Sequence, residues 1–167
     1  KRIVFFDGAT GTYLQDNGLG PGEFPEYWNI TNSDIIVQMH KGFLNAGSDI
    51  ILTNTFGANC FKFNTDDFSV EKIVDAAIKN AKIAINETVG EGNAYVAMDI
   101  GPTGKLLKPM GDLEFEDAYE AFKQMAVAGE KSGADLILIE TMNDMYELKA
   151  AILAAKENTS LPVFATV

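Results

Sequence analysis

An α/β fold on a parallel sheet is predicted by three features of this 167-residue sequence: short apolar runs, helical repeats between them, and polar residues where the runs end. The runs cover residues 3–6, 50–56, 94–100, 136–140 and 163–167, and are continuous and partly β-branched, like strands buried on both faces. Asp7, Asn54, Asp99 and Glu140 stand at or near the ends of four of them. An acid that follows a fully apolar strand has left the buried layer and lies where a parallel sheet opens to ligands.

The first run, IVFF, leads into DGATGT at 7–12. Residues 15–31 contain Gly18, Gly20, Pro21, Gly22 and Pro25, and are expected to be a long irregular lid or rim beside the strand ends. Phe24, Tyr27 and Trp28 in that segment could close over a small apolar substrate or plug the end of the sheet. Ile35, Ile36, Met39, Phe43 and Leu44 recur at helical spacing, with Gly47 placed for a left-handed C-terminal cap. After the second run, Ser69 is suited to cap a helix whose apolar face carries Val70, Ile73, Ala77, Ala81 and Ala84. Asp99 ends the third run and precedes a turn built by Gly101, Pro102 and Gly104. A third helix is expected behind Asp112, with Phe115, Ala118, Phe122, Met125 and Gly129 on one face. Following LILIE, Asp144 and Glu147 form a D-x-x-E capping pattern ahead of Leu148, Ala151 and Ala155. A fifth run begins near Pro162, and the sequence stops inside it. Strictly alternating units of this kind wind into either a closed (β/α)8 barrel or an open doubly wound sheet, and periodicity leaves both open.

Thirteen basic against twenty-four acidic residues give a formal charge of −11, which repels phosphate backbones and anionic lipid surfaces. Nucleic acid and membrane partners are therefore not expected. No apolar stretch reaches the roughly 20 residues needed to cross a bilayer, and a cytoplasmic location follows by default. The single cysteine, Cys60, excludes an internal disulfide, and with one histidine the chain cannot complete a tetrahedral nitrogen and sulfur zinc site. The length suits one domain, 1–167.

DGATGT is neither a G-x-G-x-x-G dinucleotide fingerprint nor a P-loop, since the spacing fails and no lysine is in place. An aspartyl phosphoryl-transfer nucleophile would need a second acid two positions beyond Asp7, where Ala9 stands. What remains is a carboxylate beside the amides of Gly8 and Ala9, a combination able to hold both charges of an amino acid or merely to brace a turn. Glu140 is costly to bury unless a cation or donors meet it, so it binds an amine or forms a structural ion pair. Asp99 either caps its turn or contacts the ligand. His40, on a helix face far from any strand end, reads as a packed residue. Cys60, close to the mouth in NTFGANC, reads as inert packing.

FDGATGTYLQ, then SDIILTNTFGAN, MDIGPTG and LILIETMNDMYELKAAILAAKE follow one another at distances that resemble the homocysteine S-methyltransferase family. Within it, the likeness is to the N-terminal homocysteine-binding domain of the cobalamin-dependent methionine synthases, along the whole chain. The resemblance implies a (β/α)8 TIM barrel, of which this chain would hold about the first five strands and four helices. It implies that Asp7, Gly8 and the Ala9 amide grip the amino-acid end of homocysteine, that Glu140 takes its ammonium, and that Thr53 and Asn54 form the pocket wall. It further implies zinc held by three cysteines on later strands, activating the thiolate for attack on a methyl group. None of those cysteines is in this sequence, and Cys60 matches none of them. Corrinoid, S-methylmethionine and betaine enzymes share this half, so the resemblance leaves the methyl donor open and only leans toward methylcobalamin carried on another domain; the partners it implies are folate- and cobalamin-binding domains of a larger protein. The chain alone is expected to be inactive. A metal-free half barrel that binds an amino acid, and an aspartyl phosphoryl-transfer enzyme, stand as alternatives.

Overall fold

The sheet forms as the apolar runs predict, with one exception at its edge. In the computed structural model, which describes residues 2–63 and 68–167, α1 (Thr10–Asp16), a 3-10 turn (Pro25–Tyr27), α2 (Trp28–Thr31) and α3 (Ser33–Ala46) precede β1 (Ile50–Leu52). Then come α4 (Val70–Thr88), β2 (Tyr95–Ile100), α5 (Phe115–Ser132), β3 (Leu136–Ile139), α6 (Met145–Asn158) and β4 (Val163–Ala165). All strand pairs are parallel and the order is β1-β2-β3-β4. A doubly wound sheet reverses its strand order at a switch point, whereas this order is monotonic and fits part of a (β/α)8 barrel.

The first run is a correction. Residues 3–6 form no strand, and only an isolated parallel bridge joins Phe6 to Ile50. Asp49 explains the partial pairing: its carboxylate accepts from the Phe5 amide, while Phe5 O accepts from the amides of both Asp49 and Ile50. With no neighbour on its other side among the described residues, Ile3, Val4 and Phe5 stay exposed.

Alternation sorts the two faces. Val96, Met98, Ile100, Ile137 and Ile139 point outward into the main core against the helices, while Phe6, Ile50, Leu52, Ala97 and Leu136 cluster on the inner face. Asp99, two residues beyond Ala97, therefore belongs to the inner face. Phe6 and Phe164 meet edge to face at 6.2 Å across that face. At about 4.8 Å per strand a flat sheet would set them roughly 19 Å apart, so the sheet is curled into an arc.

The helix patterns hold with corrections at their ends. Gly47, at φ 103°, closes α3 and donates to Leu44 O. Ser69 caps α4 by accepting from the Lys72 amide. The N-cap of α5 is Glu114 rather than Asp112. Asp144 caps α6 through the Tyr146 amide, yet Glu147 does not turn back to complete the box. Its carboxylate is buried and accepts instead from the amide and hydroxyl of Thr103, at 2.8 and 2.6 Å. The loop after β2 thus hangs on α6.

Residues 15–31 are partly helical rather than irregular throughout. Trp28 packs with Leu14, Ile36 and Met39 under α3. Tyr27, Phe24 and Phe63 form mutual edge-to-face contacts at 5.3–5.6 Å, so these rings are a packed strap, and only Phe24 reaches the cavity described next.

Candidate functional site

A cavity of about 580 Å³ opens where the strands end, and Asp7, Gly8, Ala9, Thr53, Asn54, Asp99 and Glu140 all line it. Every sequence-predicted site residue is thus brought to one place.

Asp7 leaves the first run where β1 ends, and its Oδ2 accepts from the Leu52 amide at 2.8 Å. Its Oδ1 is shielded from solvent and has no partner among the described residues. Burial pushes the carboxyl up to about 7, against the pull of the Leu52 amide, and the charge of Glu140 adds to the rise. Asp99 is 6 % exposed, and its Oδ1 too lacks a partner. Its main chain is fixed instead: its amide donates to Thr53 Oγ1 at 3.1 Å, and its carbonyl accepts from Thr55 Oγ1 at 2.8 Å. Burial, then the charge of Glu140 and a carboxyl–carboxyl hydrogen bond with it, and after these the charges of Asp7 and Glu26, hold the Asp99 carboxyl well above the carboxylate range. The turn-capping reading of Asp99 fails, because Thr103 Oγ1 fills that role by accepting from the Lys105 amide.

Glu140 follows β3, and its amide donates to Ile100 O at 3.0 Å, so the ladder carries it one step beyond the strand. Alternation from Leu136 turns it inward. It forms no ion pair among the described residues. Thr141, directly after it, sits at φ 58°. For a β-branched residue this left-handed conformation costs about 1–3 kcal/mol, and strain of that kind gathers at functional sites.

Thr53 and Asn54 serve the wall rather than the lumen. Thr53 Oγ1 is 2.7 Å from Thr55 Oγ1, and the Asn54 side-chain amide donates to Pro25 O at 2.8 Å, tying the strap to β1. The Gly8 and Ala9 amides donate to no acceptor among the described residues. A Cβ on Gly101 would lie 2.5 Å from the Phe56 ring, so only glycine lets that ring lie across the end of β2 and face the cavity.

Sequence reasoning missed Glu26, Phe56 and Lys62, which also line the cavity. Glu26 is buried, and its Oε1 accepts from the Gly57 amide at 2.6 Å. An acid enclosed by aromatics in FPEYW was the one available signal. Lys62 had none, lying beyond the strand in no periodic pattern.

The remaining candidates stay outside. His40 is fully buried with both ring nitrogens unpartnered among the described residues, and burial lowers its pKa to about 4. Cys60 is half-buried on the rim of the main core; burial pushes its thiol up, and nearby Lys105 only partly offsets this. Among the described residues, no group of three or more histidine, cysteine or acidic side chains is disposed to hold a metal ion. The zinc implied by the sequence resemblance does not fit the side chains present. No described helix is long and apolar enough to cross a membrane.

The sequence profile described as homocysteine S-methyltransferase matches residues 4–167. A methionine synthase of Mycobacterium leprae is 31% identical over an alignment of 182 residues, which takes in 100% of this chain and 15% of that protein. The chain thus spans about a seventh of that relative's length. Two crystal structures of the homocysteine methyltransferase MmuM from Escherichia coli share the fold. The oxidized form superposes with a TM-score of 0.83 at 19% identity, over 98% of this chain and 61% of that one. The metallated form gives 0.78 at 20% identity, over 99% and 62%.

Proposed function

The chain belongs to the homocysteine S-methyltransferase family, and from that premise we propose that its cavity holds the amino-acid end of homocysteine within a methyltransferase of the methionine synthase type. The observation that carries this reading is the pair of shielded, unpartnered oxygens on Asp7 and Asp99 beside Glu140. A buried carboxylate oxygen without a donor is costly, and an ammonium entering the cavity supplies charge and N–H groups together. The unengaged amides of Gly8 and Ala9 suit the substrate carboxylate at the same mouth. Phe24 and Phe56 offer apolar walls to the methylene chain.

Asp7, Asp99 and Glu140 fix the head, Gly8 and Ala9 orient it, and the sulfur is left to point toward whatever presents the methyl group. There the thiolate sulfur forms a bond to the methyl carbon as the donor releases it, giving methionine. Zinc would supply thiol activation in the family, but none of the roles assigned to these residues passes through it. Methylcobalamin as donor, and folate- and cobalamin-binding domains as partners, belong to the same proposal and rest on the sequence resemblance, the chain spanning 15% of the methionine synthase it matches. The aspartyl phosphoryl-transfer alternative is disfavoured, because Ala9 stands where that chemistry needs a second acid two positions beyond Asp7.

Calorimetric titration of L-homocysteine into the complete gene product tests the reading. Asp7→Asn and Glu140→Gln should each weaken binding at least about 30-fold, the usual cost of breaking a buried charge pair. Unchanged affinity in both variants would overturn it.

A further inference from the structure

The charges around the cavity do not balance when it is empty. Asp7 comes from the end of the first run, Glu26 from the 3-10 turn, Asp99 from β2 and Glu140 from the step beyond β3. Among the described residues, Lys62 is the one cation in this lining. The point where a Cβ on Gly57 would lie is 2.7 Å from both Lys62 Nζ and Glu26 Oε1, so the lysine stands on the Glu26 side. It makes no ion pair with Asp7, Asp99 or Glu140. Among the described residues donors are equally scarce: Asp7 receives the Leu52 amide on one oxygen, Glu140 a 3.4 Å contact from the Thr141 hydroxyl, and Asp99 Oδ1 nothing, while the Asp99 and Glu140 carboxyls meet each other, a contact that itself requires a proton. Like charges gathered out of water, with so few donors, cannot all ionise together.

We propose that the empty cavity keeps a proton on the two aspartates whose Oδ1 atoms are shielded and unpartnered, Asp7 and Asp99, and that an amino-acid ammonium enters by displacing that proton to solvent. This rests on the amino-acid reading above and adds a rule of exchange to it. At the acids one positive charge enters as R–NH3+ and one leaves as H+, while the substrate carboxylate that enters with the ammonium brings one negative charge, met at the Gly8 and Ala9 amides. The raised proton affinities of both aspartates agree with the geometry. Two consequences follow. Selectivity for an amine is built in, because a neutral or anionic analogue without the ammonium cannot drive the proton out. Head-group binding also releases a proton independently of any proton lost by the substrate thiol.

L-Methionine carries the same head and no thiol, so it isolates the exchange. Titrating it into the complete gene product in buffers of differing ionisation enthalpy counts the protons released on binding. The result expected is about one proton per methionine near pH 6, declining as the pH is raised to about 8.5. Asp99→Asn, which keeps the shape without the titrating group, should lower the count at pH 6 by about half or more. Methionine binding without proton release at pH 6 would overturn the exchange and leave the amino-acid reading standing. Binding of homocysteine but not methionine would also overturn it, because the exchange concerns only the shared head. Failure of both amino acids to bind would sink the amino-acid reading, and the exchange with it.

Discussion

At the scale of single residues, groups needed for binding and groups needed for stability pull in opposite directions, and Asp7 shows it. Its folded-state pKa of about 7 lies above the ordinary 3.8, so the native chain holds the extra proton between those values. Stability of the empty protein therefore falls as pH rises through that window. Asp7→Asn should remove the slope and stabilise the ligand-free protein at pH 8 by roughly 2 kcal/mol, after allowance for solvent screening, while weakening homocysteine binding. Urea unfolding of wild type and variant at pH 4, 6 and 8 checks it. His40 has the contrary sign. Its pKa falls from 6.5 to about 4, so its contribution is intact above 6.5 and is lost as pH drops through 4. The stability of wild type minus that of His40→Leu should decrease by about 3 kcal/mol between pH 7 and pH 4, read from the same unfolding curves. That His40 is packed rather than catalytic was legible from its helix face. That both its nitrogens would lack partners was not, because sequence spacing carries no hydrogen-bond directions.

At the scale of elements, the helices crossing between strands were legible because long amphipathic repeats report burial on one face. In α4, Val70, Ile73, Ala77, Ala81 and Ala84 are all buried as their spacing implies. The ends were less legible, since caps turn on single side-chain rotamers. Glu147 looked like the second half of a capping box and is instead the anchor of the loop after β2. Glu147→Ala would leave the buried Thr103 amide without an acceptor, at a cost of about 2–3 kcal/mol in urea unfolding. Glu147→Gln keeps an acceptor and should cost clearly less. A capping role alone would make Asp144→Ala, expected to cost about 1 kcal/mol, the more damaging change. The first run misled for a different reason: its apolar letters are those of a strand, but its pairing with β1 stops at one Phe6–Ile50 bridge, the Phe5 amide being taken by the Asp49 carboxylate. Thr53, Asn54 and Thr55 end β1 early because their side chains bond the strap and the next strand.

At the scale of the whole molecule, monotonic strand order and the Phe6–Phe164 contact turn a list of strands into an arc whose inner face ends in acids. The sequence pattern alone left barrel and open sheet undecided, because period-two and period-3.6 signals describe elements and not their order. The lining of the cavity was partly legible: Asp7, Asp99 and Glu140 were expected at the strand ends from their places after apolar runs and lie there together, whereas Glu26 and Lys62 reach the cavity from loops that no periodicity marks. The most direct test of the binding geometry is a crystal structure of the complete gene product with L-homocysteine. The result expected is the substrate nitrogen within about 3 Å of both an Asp7 and a Glu140 oxygen, with the carboxylate at the Gly8 and Ala9 amides. A substrate nitrogen bound away from these two acids would contradict it.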